Sequence, residues 1–215
     1  MHVVVNAATS ADGKLSSRRR EQIAISGPED FDRVDALRSD SDAVGVGVGT
    51  VLADDPNLTV DDPDSDRGES DQPARVVADS RARTPTDARV LDERASTYLL
   101  VSTAAPDERV AALREAGAHI VTAGDDRVDL TAAFTQLERA GVERVMVEGG
   151  GELIFSLFEA ELVDELRLFV GSTIIGGREA PTLADGEGFV ESFPALSLTG
   201  VERLDDGVLL EYVVD

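Results

Sequence analysis

Apolar and polar positions along the chain alternate between two periods. A short continuous apolar run at 3–5 predicts a buried strand, and it leads into Asn6. Ser26-Gly27-Pro28-Glu29 has the form of a helix start, with a capping serine, a proline in the first turn and a glutamate three residues on. Phe31, Val34 and Leu37 follow at helical spacing. Residues 44–48 predict a second buried strand, whose glycines mark bulges or a place where a ligand meets backbone. The stretch 54–72, rich in Asp, Pro and Ser, reads as a solvated insertion, because a strand-like pattern resumes at 75–78. Beyond it, 97–101, 119–121 and 144–147 predict strands. Helices are expected at 107–116, ended by Gly117, and over Leu130, Ala133, Phe134 and Leu137, ended by Gly141. Gly149 to Gly151 opens a further helix carrying Leu153, Ile154, Leu157 and Phe158. The last third is strand-rich, at 166–170, 196–201 and 208–214. The Asp205-Asp206-Gly207 turn should make an antiparallel hairpin of the last two. The pattern predicts an α/β fold with a mixed, mostly parallel sheet flanked by helices. No linker divides it, so one domain over 1–215 is expected.

Composition narrows the chemistry. The 215 residues are 42% hydrophobic, enough for a packed core. There is no cysteine, which excludes disulfides, thiolate catalysis and iron–sulfur clusters. His2 and His119 are the only imidazoles, so no His-rich metal site is expected. The net charge is −23 and the pI about 4.3. The acids are dispersed, and Lys14 is the only lysine. That combination points to a high-salt proteome, in which self-repulsion is screened. A nucleic-acid partner is disfavoured for want of a basic face. The longest nearly apolar run, 43–53, is too short to span a bilayer, and no signal peptide opens the chain. A soluble cytoplasmic protein is expected.

Four segments could carry chemistry, and each also has a plainer reading. Val147-Glu148-Gly149-Gly150-Gly151 follows a strand and opens a helix. It could bind an anion at the helix N-terminus, or it could be an ordinary strand-to-helix turn. Gly45-x-Gly47-x-Gly49 is not a dinucleotide fingerprint, because no helix is expected directly after that strand. Thr50 and Asp54 lie four apart just past a strand end, where ligands of open α/β sheets sit. The Asp54-Asp55 pair could equally be turn chemistry before Pro56. Asp79-Ser80-Arg81-Ala82-Arg83 offers two guanidinium groups to a ribose 2′-phosphate, or two solvated arginines balancing nearby acids. In Asn6-Ala7-Ala8-Thr9-Ser10-Ala11-Asp12-Gly13-Lys14, the lone lysine could serve a polar or phosphorylated substrate, or have survived by chance. Arg18-Arg19-Arg20 is a second phosphate clamp or a solvated loop.

Together, in this order, the segments resemble the reductase of riboflavin biosynthesis. That family occurs as the C-terminal domain of the bacterial bifunctional deaminase–reductase and as a stand-alone archaeal enzyme. The resemblance rests on Ser10 to Lys14, on Val48 through Thr50, Asp54 and Leu58 to Val60, and on Val77-Ala78-Asp79-Ser80. Val147 to Gly151, Leu162-Val163-Asp164-Glu165 and Ile175-Gly176-Gly177 complete it. It implies a dihydrofolate reductase-like α/β/α fold, a homodimer, and NADPH as cofactor. It also implies reduction of the ribose of 2,5-diamino-6-(ribosylamino)-4(3H)-pyrimidinone 5′-phosphate. Another small reducible substrate, or nucleotide binding without turnover, are the alternatives. By motif match, the resemblance assigns Thr50, Asp54, Asp79, Ser80, Arg81, Ala82, Gly149, Gly150, Gly151 and Glu152 to the cofactor. Asn6, Ser10, Lys14, Arg38, Leu58 and Glu148 fall where the family meets substrate. Asp54, Lys14 and Glu148 are the candidate proton donors, Asp54 first. Deaminase activity is not expected, since the chain starts at the reductase strand.

Overall fold

The computed structural model describes residues 1–21, 23–60 and 72–215; most of the expected insertion, 61–71, lies outside the described residues. The described chain groups into two compact units, one of Met1 with 35–146, the other of 2–34 with 147–215.

In the first unit, β2 (Ala43–Gly47), β3 (Ala74–Ala78), β4 (Thr97–Val101) and β5 (His119–Thr122) pair in the order β5-β4-β3-β2, all parallel. β2, β3 and β4 are short, mostly buried runs rich in Val and Leu, as expected for strands covered on both sides, whereas β5 exposes His119 and Thr122. Val44, Val46, Val77, Leu99, Val101 and Leu113 form the apolar base. Leu113 comes from α3 (Asp107–Glu115), and α4 (Leu130–Arg139) turns Leu130, Ala133, Phe134 and Leu137 inward. Gly117 and Gly141, with φ of +99° and +94°, end these two helices as expected. One expectation is corrected. A helix does follow β2 directly: α2 (Val48–Asp54) begins after Gly47. Val48 and Val51, three apart, bury one side of this short helix. Tertiary burial outweighs the strand preference of its valines.

β3 also carries Arg75, which is 0% exposed. Its Nη1 donates to the carbonyls of Val90, Asp92 and Ala95 at 2.9, 3.1 and 3.3 Å, and its Nη2 to Asp92 Oδ1 at 2.6 Å. The guanidinium thus knits β3 to the 90–95 segment. It also holds the Asp92 carboxyl below the usual range, against the opposing effect of burial.

In the second unit, β1 (His2–Thr9) pairs in parallel with β7 (Glu165–Val170). β7 pairs antiparallel with β9 (Gly207–Val214), and β9 with β8 (Leu196–Leu204), giving β1-β7-β9-β8. The expected C-terminal hairpin is present, turning at Asp205-Asp206. Strand β6 (Arg144–Gly149) starts in the first unit and ends in the second, where α5 (Gly151–Glu159) follows.

The start of α1 (Pro28–Ser39) is a second correction. Its acceptor is Asp205, in the β8–β9 turn, and not Ser26. The Asp205 carboxylate accepts from the N–H groups of Gly27, Glu29 and Asp30 at 3.2, 3.3 and 3.0 Å. Glu29 completes the pair by accepting from the N–H of Asp205 at 3.0 Å. The reciprocal bonding of a capping box is kept, but half of it comes from a distant turn. Phe31, expected on the buried face, is 56% exposed; Asp30, buried, and Arg33, partly buried, take the inward positions.

Candidate active site

In the first unit, candidate residues stand at the carboxyl ends of parallel strands. Thr50 and Asp54 lie one turn apart on α2, so they share a helix face. Asp54 as a residue is exposed, yet partial burial of its carboxyl raises its pKa above the usual 3.8, because desolvation disfavours the anion. Asp55 then ends the helix in the left-handed conformation, with its N–H on the Val51 carbonyl and its Oδ1 accepting from Arg89 N at 2.8 Å. Leu58 is buried in the apolar base with φ of +53°. A branched side chain in that region is strained and persists only where its surroundings fix it. The fixing groups are visible. Arg38 Nη1 donates to the Thr59 carbonyl at 2.9 Å. Gln72 brackets Val60, accepting from its N–H at 2.8 Å and donating to its carbonyl at 3.2 Å. Arg38, from α1, and Gln72 therefore pin the 59–60 backbone that follows Leu58.

The turn after β3 divides into support and surface. Asp79 and Ala82 are both 0% exposed. Asp79 Oδ2 accepts from Thr84 N and Oγ1 at 2.7 and 2.8 Å, and the Ala82 carbonyl accepts from Arg109 Nε at 3.1 Å. These two residues shape the turn and offer no surface of their own. Ser80 is braced by Val128 N–H at 3.0 Å and by Ser102 Oγ on its carbonyl at 2.7 Å. Arg81 is half exposed, and its Nη1 donates to the Ala104 carbonyl at 3.1 Å. Ser80, Arg81 and Arg83 are thus the members of this turn with polar groups at the surface, and Arg83 Nε lies 3.7 Å from Asp79 Oδ1.

In the second unit, the expected residues sit in polar networks. Ser10 Oγ donates to Asp12 Oδ1 at 2.7 Å and accepts from Lys14 N at 2.9 Å. Asp12 also accepts from the N–H groups of Ile175 and Gly176 at 3.0 and 2.8 Å, joining two of the family-like stretches. The Ile175 N–H and the Ser10 hydroxyl lower its carboxyl to about 2. Lys14 bridges to Thr182, and its Nζ donates to the Ala180 carbonyl at 3.3 Å. One carbonyl uses one of three ammonium protons. Asn6 is buried on β1, and Glu148 is half-buried on β6.

The glycine cluster splits by role. Gly150 caps α5 with φ of +90°, which favours glycine. A Cβ on Gly151 would meet the Thr182 carbonyl at 2.4 Å and Asp185 Oδ2 at 2.7 Å. The close approach at Gly151 is therefore to the chain's own 182–185 turn. Among the described residues no side chain caps α5, whereas Asp129 caps α4 through Ala132 N. The first-turn N–H groups of α5 remain a donor set with no side-chain acceptor. Glu152 is exposed in that turn, and Arg18, Arg19 and Arg20 are exposed in their loop.

A family model described as the RibD C-terminal domain matches residues 1–210. A 2,5-diamino-6-ribosylamino-4(3H)-pyrimidinone 5′-phosphate reductase of Archaeoglobus fulgidus is 46% identical over 211 residues, 96% of this chain and 94% of that protein. The chain belongs to the RibD C-terminal domain family. A reductase of the same name from Methanothermobacter thermautotrophicus is 46% identical over 215 residues, 99% of this RibD-family chain and 98% of its own. Among solved structures, a pyrimidine reductase-like protein from Corynebacterium diphtheriae matches all of the chain and 92% of its own, with a TM-score of 0.85 at 19% identity. RibD of Acinetobacter baumannii matches with a TM-score of 0.81 at 24% identity; the chain spans 58% of that protein. These two likenesses show that the RibD reductase fold is shared.

Sequence reasoning missed Arg33, Arg109, Gln72 and Asp205. Only Arg33 left a local signal, the Asp30-x-x-Arg33 spacing on a helix. The others act on residues far away in sequence.

Proposed function

We propose that this chain is an NADPH-dependent reductase acting on 2,5-diamino-6-(ribosylamino)-4(3H)-pyrimidinone 5′-phosphate and giving the ribitylamino product. The observation that carries the reading is the placing of Thr50 and Asp54 on one face of α2, directly after β2. The name shared by the 46% identical relatives supplies the substrate.

The residues fit a phosphorylated dinucleotide by their donor chemistry. In the first unit, Thr50, Asp54, Ser80 and Arg81 would hold it, with Asp79 and Ala82 supporting the turn. Arg81 offers a half-exposed guanidinium suited to a 2′-phosphate. In the second unit, Gly149, Gly150, Gly151 and Glu152 would supply backbone N–H groups to phosphate at the uncapped start of α5. When bound, NADPH supplies a hydride for C1′ of the opened ribosylamine. Asp54, whose carboxyl desolvation pushes above its ordinary pKa, is the proposed donor of the proton that ring opening or reduction needs. Lys14, with ammonium protons to spare, anchors an anionic or polar part of the substrate. The remaining substrate candidates are Arg38 and Leu58 in the first unit and Asn6, Ser10 and Glu148 in the second.

The chain is further proposed to act as one domain over 1–215, supported by a single family match to 1–210. A cytoplasmic homodimer is proposed too; Leu196, Leu198, Val201 and Val213 leave exposed apolar side chains on β8 and β9. A preference for high salt follows from the −23 charge.

The test is NADPH absorbance decay in molar KCl, with the substrate generated enzymatically in place. Decay with a ribityl product by mass is expected. No decay with NADPH still bound would overturn the substrate assignment. Asp54→Asn should lower turnover about 10²- to 10⁴-fold, the usual range for a general acid. Full activity in that variant would move the proton to Lys14 or Glu148.

A further inference from the structure

In the second unit, a buried amide is held by a guanidinium. Asn6, on β1, is 6% exposed. Arg33, on α1, donates from Nη2 to Asn6 Oδ1 at 2.9 Å. Asp30, itself buried, orients the same guanidinium; its Oδ1 accepts from Arg33 Nε at 2.9 Å and from Nη2 at 2.6 Å. Asp30 is fixed in turn, because its N–H donates to Asp205 Oδ2 at 3.0 Å.

A guanidinium has donors and no acceptor. The Asn6 atom facing Arg33 must therefore be the carbonyl oxygen. A flipped amide would set two donors against each other in a buried place, so the flip is disfavoured. The amide nitrogen of Asn6 is left with no acceptor among the described residues. Arg33 Nη1 is buried with no hydrogen-bond partner among the described residues. Buried polar atoms without partners are uncommon, and Arg33 Nη1 is one of them.

We infer that Arg33 is a positioning residue that locks the Asn6 amide with its nitrogen as donor, so that Asn6 meets an acceptor oxygen of the substrate and not an amino group. The inference rests on the reductase reading and deepens it, because the pyrimidinone substrate carries both amino groups and oxygens. Arg33 then selects which of the two Asn6 accepts as a neighbour. Asn6→Asp would pair with Arg33 and offer the substrate only an acceptor.

The experiment measures KM for substrate and for NADPH with the full chain, in molar KCl. Arg33→Met should raise the substrate KM about tenfold, the order of one lost hydrogen bond, and leave the NADPH KM unchanged. In an Asn6→Ala background the same substitution should have no further effect; an equal rise in both backgrounds would overturn the inference. Asn6→Asp should raise the substrate KM at least as much as Asn6→Ala, and a KM equal to that of the wild type would overturn it too. Arg33→Met leaves Asp30 buried without its cation, so Asp30→Asn/Arg33→Met is made alongside, with both charges removed. The same dependence on Asn6 is expected there. Arg33→Lys should recover part of the loss. The lock is also read without turnover, from the side-chain amide resonances of Asn6 in ¹⁵N-labelled protein. They should shift on Arg33→Met, and unchanged resonances would overturn the lock whatever the activity. A wild-type chain that turns over no pyrimidine would instead defeat the reductase reading and leave this measurement standing.

Discussion

The first unit sets its candidate residues on the rim of an apolar base, whereas the second embeds them in polar networks. Thr50, Asp54, Ser80 and Arg81 follow strand ends whose inner residues are Val44, Val46, Val77 and Leu99. Asn6, Asp12 and Lys14 bond instead to Arg33, Ile175, Gly176 and Ala180 in other segments, and Ser10 bonds to Asp12 and Lys14. The two carboxylates with opposite shifts belong to this contrast. Asp54 is raised because desolvation acts on it unopposed, and Asp12 is lowered because three donors converge on it. An apolar rim perturbs a group by withholding water; a polar network perturbs it by supplying partners.

The largest test of the contrast is Arg75, the buried charge within the apolar unit. Arg75→Met should cost about 3–5 kcal/mol of unfolding free energy in urea, because three carbonyls and Asp92 lose their donor. A loss under about 1 kcal/mol would mean that the apolar base alone holds β3, which would widen the difference between the two units. Next comes Lys14. Lys14→Ala should raise the substrate KM about ten- to a hundredfold, the range for a charged hydrogen bond, with little change for NADPH. Equal effects on both KM values would make Lys14 a loop anchor through Ala180.

Asp205 should show a smaller effect. Asp205→Ala removes the acceptor for three N–H groups at the start of α1 and should cost about 1–2 kcal/mol, read by thermal or urea unfolding. A neutral result would show that Ser26 takes over the cap. The smallest effect lies in the pH dependence of the two carboxylates. The folded pKa of Asp12 lies below its ordinary 3.8, so its contribution is present above that value and is lost as pH falls through about 2. Asp12→Asn should flatten this acid limb of stability. The folded pKa of Asp54 lies above 3.8, so its ionised form opposes folding and stability recovers as pH falls through the raised value. Asp54→Asn should therefore leave the protein slightly more stable at neutral pH while impairing turnover. A lower unfolding temperature in that variant would show that the anion is held by partners and that the two units do not differ in this respect.

Local pattern carried most of the elements. The short apolar runs and the glycine stops at Gly117 and Gly141 specify β2 to β5, α3 and α4, because a run of apolar residues and a helix with one apolar face are both written in neighbouring residues. The segment from Thr50 to Thr59 stood out only through the family resemblance, because its residues alone read equally well as a turn before Pro56. Helix α2 was not legible, because Val48 and Val51 favour strand and only their burial in the base makes them helical. Asp79 and Ala82 read as surface candidates equal to Ser80 and Arg81; the bonds from Thr84 and Arg109 turned them into supports.

The sequence by itself determined the alternation of strands and helices, the C-terminal hairpin, and which short stretches carry polar groups at strand ends. Each of these depends on residues within a few positions of one another. Tertiary structure alone decided that Asp205 caps α1, that Asp12 ties the 10–14 turn to 175–176, and that Arg33 fixes the amide of Asn6. A hydrogen bond between residues more than a hundred positions apart leaves no periodicity in the chain. In the Arg33 pair, only about 27 residues apart, the β1 and α1 patterns likewise show no sign of the partner.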